Sequence, residues 1–246
     1  MRVLHISAGT EWGGAERALV TLARERRCAP GMHPHFAVCF RERLNQELRM
    51  AGSPVDYLGG VRVSRPGSVL RARRALKTVL AQERIDIAVC HWPWAHAIFA
   101  PVLWQAGVPI VFWMHGFAAS RIWTRDWTEV WSLKKKPAQL IANSEATKAT
   151  ARFLFPKVPA RVLHYAIFLQ PEPRVEEPGT ILQVSRMAPS KGHLLHLEAL
   201  ARLKRMPGWT CRFAGGAQTP SEVNYVLRLR KRVEALGIAD RVSFLG

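Results

Sequence analysis

Short apolar segments alternate with longer amphipathic segments along nearly the whole of this 246-residue sequence. The first apolar segment, Val3–Ser7, leads through a glycine-containing loop into a helical pattern in which Leu19, Val20 and Ala23 share one face. A strand, a glycine loop and a helix, repeated in this order, predict a mainly parallel sheet that is covered by helices on both faces. We therefore expect a doubly wound α/β fold.

The same reading places each element along the chain. The predicted strands are 3–7, 37–40, 55–58, 85–90, 109–114, 139–142, 180–184, 210–214 and 242–245. The predicted helices after the first are 43–51, 68–83, 95–105, 145–155, 193–204 and 222–236. Helices that follow strands in this alternation are typical of βαβ units.

The composition changes near residue 171, which predicts a domain boundary. Residues 171–179 are rich in proline and glutamate and are expected to form a linker. We therefore expect an N-terminal domain over 1–170 and a second α/β domain over 180–246. Because a parallel sheet usually continues beyond three strands, the second domain is expected to be incomplete, and the chain to be cut short within it.

Charge indicates the class of partner. There are 36 Lys and Arg residues against 18 Asp and Glu, a net charge of +18, which favours phosphates, nucleic acid or an anionic membrane. The four cysteines form no CxxC pair, which excludes a zinc ribbon, and the N-terminus runs directly into a strand pattern rather than a signal peptide. Together these features predict a cytoplasmic protein. The longest apolar stretch, 97–114, contains Pro101 and Pro109 and is not expected to span a membrane.

Two loops are candidates for binding phosphate. Gly13 and Gly14 follow the first strand and open the first helix, whose N-terminus presents N–H groups and partial positive charge. Arg186 follows a strand and Lys191 precedes a helix, so that two cations share one loop and could clamp a diphosphate. The alternatives are a tight turn without a ligand at the glycines and two solvated cations at the second loop.

A histidine is the candidate for a catalytic side chain. His115 ends an apolar strand and is followed by glycine, and the carboxyl edge of a parallel sheet is where ligands bind. The alternative is a packed or capping histidine. His5, His91 and His96 are similar candidates with less support, and no pair of histidines has HExxH spacing, so we predict no metal.

Seven of the nine tryptophans lie between residues 92 and 131. Spacing of about four residues places Trp123, Trp127 and Trp131 on one helix face, next to the basic run 134–136. This face could belong to the core, or it could form an aromatic and basic surface for a sugar or a lipid headgroup.

The ordered set of motifs resembles a family 4 glycosyltransferase of the GT-B type over essentially the whole chain. The matching pieces are Gly13-Gly14-Ala15-Glu16-Arg17, Gly107-Val108-Pro109 with Met114-His115-Gly116, Ala142-Asn143-Ser144-Glu145-Ala146, Val184-Ser185-Arg186-Met187 with Lys191-Gly192, Gly215-Gly216, and Arg241 to Gly246. The resemblance implies two Rossmann-like domains facing a cleft, the first on the acceptor side and the second on the nucleotide-sugar side. It also implies transfer of a sugar with retention of configuration, to a glycan or lipid-linked acceptor, without a metal cofactor.

The resemblance also implies roles for individual residues. Arg186 and Lys191 would bind the donor diphosphate, Gly13 and Gly14 would approach its phosphates, and His115 would lie near the transferred sugar. Gly215 would belong to the nucleotide-sugar site. Cations and dipoles of this kind stabilise charge that develops on a leaving diphosphate.

The sequence departs from the family pattern at three places. Ser185 stands where the family usually has glycine, and the string from His164 to Ile167 stands where a Pro-Asn-Gly string is common. The family's pair of glutamates, separated by seven residues, would fall after Gly246, as expected for a chain cut short within its second domain.

Two other functions remain open at this stage. A non-catalytic module that binds a nucleotide sugar or phosphate is compatible with the missing glutamates. A nucleic-acid binder is compatible with the charge but has no recognisable helix-turn-helix, KH or RRM signature, so no nucleic acid is expected. The basic helix 68–83, which carries Arg71, Arg73, Arg74 and Lys77, would suit peripheral contact with the anionic inner face of a membrane.

Overall fold

A computed structural model of the chain describes residues 1–120, 126–167 and 177–246. The chain divides into two compact units, Met1–Leu169 and Gln170–Gly246. Most of the linker predicted at 171–179 lies outside the described residues. Each unit is an α/β structure built on a parallel sheet, which confirms the predicted fold class.

The first unit contains a seven-stranded sheet in the order β3-β2-β1-β4-β5-β6-β7. Its strands are β1 (Arg2–Ser7), β2 (His33–Val38), β3 (Val55–Tyr57), β4 (Ile87–His91), β5 (Ile110–Met114), β6 (Gln139–Ala142) and β7 (Ala160–Val162). Every neighbouring pair is parallel. The reversal of strand order on either side of β1 is the arrangement that opens a ligand crevice at the carboxyl edge of such sheets.

In the described residues, six α-helices connect these strands. They are α1 (Gly14–Arg24), α2 (Arg43–Met50), α3 (Pro66–Gln82), α4 (Trp92–Gln105), α5 (Trp127–Ser132) and α6 (Glu145–Leu154). Alternate strand residues pack against different helices, because side chains of a strand point to opposite faces. Leu4 and Ile6 of β1 join the core with α3 and α4, whereas Phe36 and Val38 of β2 join a separate core with α1 and α2.

The second unit contains a three-stranded parallel sheet in the order β10-β9-β8. Its elements are β8 (Thr180–Val184), α7 (His193–Arg202), β9 (Thr210–Ala214), α8 (Pro220–Leu236) and β10 (Val242–Phe244). A compact core that includes Phe213, Leu197 and Leu229, each fully buried, lies between the sheet and the two helices.

Two element boundaries differ clearly from the sequence prediction. The helix predicted from residue 95 begins at Trp92, directly after β4, and β2 begins at His33 rather than at residue 37. The short strand β7 was not predicted, because its three residues carry too little pattern to be recognised. No helix among the described residues combines the length and apolar character needed to cross a membrane.

Candidate functional site

Three histidines from neighbouring strands lie on one face of the first sheet. His5 lies in β1, His91 ends β4, and His115 directly follows β5. His5 pairs in register with Val89, and His91 with Trp113, so each histidine lies two residues further toward the carboxyl edge than the one before. Strand alternation puts all three on the same face as the buried Val89 and Trp113.

These histidines and Tyr165 form a continuous chain of hydrogen bonds, which we call the histidine row. The Nδ1 atom of His5 lies 3.0 Å from Nε2 of His91, and Nδ1 of His91 lies 2.9 Å from Nε2 of His115. Nδ1 of His115 lies 2.5 Å from the Tyr165 hydroxyl oxygen. Both ring nitrogens of His115 are therefore engaged within the row.

The imidazoles of the row are neutral at ordinary pH. Burial lowers the pKa of His5 to about 4 and that of His115 to about 3. Burial, together with electrostatic repulsion from His115 and His5 in their protonated forms, holds the pKa of His91 well below its usual value. A neutral imidazole has one donor and one acceptor nitrogen, so it can pass a hydrogen bond along a row without carrying charge.

Tyr165 connects the histidine row to the start of α1. A Cβ atom added to Gly14 would lie 3.6 Å from Cε2 of the Tyr165 ring. The amide of Asn143 donates to the His115 carbonyl at 3.2 Å and lies 3.5 Å from the Tyr165 hydroxyl. The pKa of Tyr165 is raised above its usual value. Burial is the main cause and the charge of Glu16 adds to it, although the hydrogen bond with Asn143 acts in the opposite direction. The side chain is thus a phenol rather than a phenolate.

The backbone at Trp92 is strained beside the row. Its φ of 69° is the one positive value at a non-glycine position in the part of the chain that the structure describes. Its ring centroid lies 5.2 Å from that of His115, and its edge would meet a Cβ on Gly116 at 3.4 Å. Since a bulky residue with positive φ costs of order 1–3 kcal/mol, the packing around His115 must hold it there.

The glycine pair occupies the position that the sequence predicted for it. Gly13 caps α1 with an extended backbone, and Gly14 is the first residue of the helix. Neither glycine has positive φ, so the turn itself does not demand glycine. A side chain at Gly14 would instead fill the space beside Tyr165. Glycine at this position therefore leaves room for a ligand to approach the backbone closely.

In the second unit, Arg186 is held by a buried carboxylate. Its Nε atom lies 3.0 Å from Oε1 of Glu222, whose side chain is 7% exposed. Glu222 lies in the first turn of α8, and its carboxylate also accepts a hydrogen bond from the backbone N–H of Gln218 at 2.7 Å. The ion pair fixes the direction of the guanidinium, because the carboxylate is itself anchored to a helix start.

Polar side chains brace the loop between β8 and α7 that carries Lys191. The amide nitrogen of Gln183 donates to the Lys191 carbonyl at 3.0 Å, and its amide oxygen accepts from Nδ1 of His196 at 2.6 Å. Ser185, the departure from the usual glycine, lies 3.1 Å from Nε2 of the buried His193. Lys191 itself is exposed.

Gly215 is required by the close approach of two strand ends. Its φ is 136°, a region that only glycine adopts readily, and an added Cβ would lie 2.1 Å from the carbonyl oxygen of Ser185. Gly215 therefore lies directly against the loop that carries Arg186. The predicted residues thus form two groups, with His115, Gly13 and Gly14 in the first unit and Arg186 and Gly215 in the second.

Two partners of these groups were missed by the sequence analysis. Tyr165 was noticed only as a departure from a family string, and Glu222 was not considered. A signal for Glu222 was available, because Thr219 followed three residues later by glutamate is a capping-box pattern. Nothing in the local sequence pairs Tyr165 with His115, which lies 50 residues earlier.

Two tryptophans of the predicted aromatic face, Trp127 and Trp131, lie at the surface rather than in the core. Trp127 and Trp131 pack edge to face at 5.7 Å and are 41% and 40% exposed. Lys135 lies 3.7 Å above the ring of the exposed Trp104, and Lys134 lies 5.0 Å above Trp131. The third member of the predicted face, Trp123, lies outside the described residues.

Metal ligands are not grouped in the described ranges. No cluster of three or more histidine, cysteine or acidic side chains with the geometry to hold an ion occurs in residues 1–120, 126–167 or 177–246. The absence of a metal cofactor stays a prediction.

Comparison with family models gives two adjoining matches. The model described as Glycosyltransferase Family 4 matches residues 12–169, and the model described as Glycosyl transferases group 1 matches residues 167–246. A search of the curated proteins finds no significant match.

Solved structures share the fold at low sequence identity. Anabaena HepE in complex with UDP-glucose is 20% identical with a TM-score of 0.77, and the match covers 100% of this chain and 69% of that one. Sucrose-phosphate synthase from Thermosynechococcus elongatus is 15% identical with a TM-score of 0.74, covering 100% and 70%. The lipopolysaccharide outer core galactosyltransferase WaaB, in its apo form, is 15% identical with a TM-score of 0.68, covering 100% and 68%.

Proposed function

This chain belongs to Glycosyltransferase Family 4, and we propose that it transfers a sugar from a nucleotide-sugar donor to an acceptor. The observation that carries this proposal is the pair of family matches, which together run from residue 12 to residue 246. The neighbours support the choice of donor, because HepE has been solved with UDP and with UDP-glucose. The acceptor that we propose is a glycan or a lipid-linked molecule.

In this proposal the donor diphosphate is bound by cationic side chains and backbone N–H groups. Arg186 and Lys191 supply positive charge, and Gly215 keeps the strand ends close beside them. Gly13 and Gly14 contribute the N-terminus of α1, where unpaired N–H groups favour anions. The Glu222 carboxylate supports the role of Arg186, since a guanidinium held in one direction loses less side-chain entropy when it binds phosphate.

His115 lies beside the transferred sugar in this proposal, and transfer proceeds with retention of configuration and without a metal. The role of the protein is then electrostatic: fixed donors and cations stabilise the charge that develops on the leaving diphosphate. Burial lowers the pKa of His115 to about 3, so the imidazole is neutral and the cations and fixed donors carry the electrostatic role.

Calorimetric titration with UDP tests the donor site. Arg186→Ala and Lys191→Ala should each weaken binding by roughly 1.5–3 kcal/mol, the scale of a hydrogen bond to a charged group. Lys231→Ala is the matched control, since it removes one positive charge from an exposed position of α8. If both site variants bind UDP as tightly as the control, Arg186 and Lys191 do not bind the diphosphate.

Assays of sugar transfer and of donor hydrolysis distinguish an enzyme from a binding module. UDP-glucose is the first donor to test. Turnover that His115→Ala lowers more than it lowers donor affinity would support a place for His115 near the reacting sugar. Binding of UDP with no turnover under any condition would favour the alternative, a non-catalytic module.

We propose that this chain is a cytoplasmic enzyme that binds peripherally to the anionic inner face of a membrane, where a lipid-linked acceptor would lie. Arg71, Arg74 and Lys77 are exposed on α3, whereas Arg73 donates to the Ile98 carbonyl at 2.7 Å and is used within the fold. Each surface cation near such a membrane contributes about 1 kcal/mol. Co-sedimentation with anionic vesicles at low salt, reversed at high salt, is the expected result, and no binding at low salt would contradict it.

A further inference from the structure

The histidine row can point its hydrogen bonds in only two ways. If every histidine carries its proton on Nε2, the Tyr165 hydroxyl donates to His115 and the row runs toward His5. If every histidine carries its proton on Nδ1, His5 donates to His91, His91 to His115, and His115 to the Tyr165 oxygen. A mixed arrangement would set two donors or two acceptors against each other.

The buried end of the row distinguishes the two directions. Nε2 of His5 is buried and has no hydrogen-bond partner among the described residues. The His5 ring stacks on Phe36 with an interplanar angle of 25°, so an N–H in the plane of the ring would not point at the aromatic face. In the first direction this atom is an unpaired donor, and in the second an unpaired acceptor. Because orphaned N–H groups are the rarer case in protein interiors, the second direction is favoured.

The exposed end of the row then determines what Tyr165 offers. In the favoured direction its oxygen accepts from Nδ1 of His115, with the amide of Asn143 nearby, and its hydroxyl hydrogen points away from the row. The tyrosine ring is half-buried against Gly14, at the start of α1. A ligand that approaches this glycine therefore meets a phenol already arranged as a donor.

We propose that Tyr165, rather than His115, is the side chain through which the histidine row contacts the nucleotide sugar, by donating a hydrogen bond to one of its oxygens. His115, His91 and His5 are positioning residues, since both nitrogens of His115 are engaged within the row. The inference rests on the proposed function for the identity of the ligand. The accepting oxygen belongs to the diphosphate or to the sugar, both of which are oxygen acceptors.

Nuclear magnetic resonance of the imidazole nitrogens in the full chain tests the direction without any ligand. We expect His5, His91 and His115 to be neutral at pH 7 with the proton on Nδ1. Protons on Nε2 in these three rings would overturn the inference whatever the enzyme does. The three signals are assigned by substituting each histidine with glutamine in turn.

Titration of the same chain with UDP and with UDP-glucose tests the contact. Tyr165→Phe removes only the hydroxyl and should weaken binding roughly threefold to tenfold, as expected for one hydrogen bond. Tyr57→Phe is the matched control, because Tyr57 is exposed on β3 beneath Arg41. A loss with both ligands identifies the diphosphate as the acceptor, and a loss with UDP-glucose alone identifies the sugar.

The failure of this inference is distinct from the failure of the proposed function. Wild-type affinity in Tyr165→Phe, with the parent chain binding UDP-glucose, would overturn the contact and leave the proposed function standing. A parent chain that binds neither ligand at millimolar concentration would overturn both the proposed function and the contact.

Discussion

The two units arrange polar side chains at the carboxyl ends of parallel strands in different ways. In the first unit, His5, His91 and His115 are buried, uncharged and bonded to one another. In the second unit, the corresponding end of β8 carries Arg186, paired with the Glu222 carboxylate. Buried imidazoles that are hydrogen-bonded to neutral groups stay neutral, whereas a cation can be kept at a strand end when a carboxylate accompanies it.

The two sheets also differ in how deeply their strands are buried. All five residues of β5 are buried, whereas Leu182 and Val184 of β8 are 57% and 73% exposed. Within the described residues, the first sheet therefore buries both faces in its centre, and β8 leaves one face uncovered. The two units should therefore respond differently to acid, to added side-chain volume and to surface substitution.

The largest expected difference is in acid stability. Unfolded histidine takes up a proton as the pH falls below about 6.5. The pKa of His5 is about 4 and that of His115 about 3 in the folded chain, because both are buried. The unfolded state therefore binds more protons between these values, and the first unit should lose about 1.4 kcal/mol per pH unit for each such histidine.

Urea unfolding at pH 7 and pH 5, followed by tryptophan fluorescence, measures this loss. The signal reports mainly the first unit, because Trp209 is the single tryptophan after residue 170. An unfolding free energy that is the same at both pH values would contradict the burial of a neutral row.

The next largest effect concerns the two predicted glycine sites. Gly215→Ala should destabilise the second unit by about 2–4 kcal/mol, because φ is 136° and the methyl group would meet the Ser185 carbonyl at 2.1 Å. Gly14→Ala should change the stability of the first unit by less than about 0.5 kcal/mol, since its contact is an ordinary 3.6 Å. Hydrogen exchange of each unit's amides separates the two effects. If the amides are equally protected from exchange in both variants, the close approach of Gly215 to the Ser185 carbonyl does not require glycine.

A smaller and stabilising effect is expected at His96. Both ring nitrogens of this histidine are buried and find no hydrogen-bond partner in the part of the chain that the structure describes, and its ring packs against Phe112 and Phe155. Burial lowers its pKa to about 4. His96→Leu should raise the unfolding free energy by about 1–2 kcal/mol at pH 7, because it removes unsatisfied polar groups. The gain should grow at pH 5, and His196→Leu, which breaks the contact with Gln183, should show no such gain.

The smallest effect is expected on the exposed face of β8. Leu182→Ser should change stability by no more than about 0.5 kcal/mol, since the side chain is more than half exposed. Val111→Ser in β5 is the matched variant and should cost about 2 kcal/mol, because it places a hydroxyl where the side chain is buried. Urea unfolding of both variants gives the comparison directly. A large loss at Leu182 would mean that this face is covered in the protein.

Much of the fold followed from local pattern. Strands 139–142, 180–184 and 210–214 were predicted with the bounds that the structure has, because an apolar run between polar loops is a local signal. The start of α4 was placed three residues late, because Trp92 adopts a positive φ that no propensity would assign to tryptophan. The family was also accessible from ordered motifs, and the family matches confirm it.

The residue pattern alone predicts the alternation of elements, the parallel sheets and the placement of the candidate residues at strand and helix ends, namely His115, Gly13, Gly14, Arg186, Lys191 and Gly215. The contacts that these residues make depend on how the elements pack. Register between β1, β4 and β5 brings His5, His91 and His115 together from positions 24 and 86 residues apart in the chain. It also places Tyr165 at the end of the row and Glu222 against Arg186. Such contacts depend on strand register and helix packing, which are set by the burial of whole faces rather than by the residues that meet.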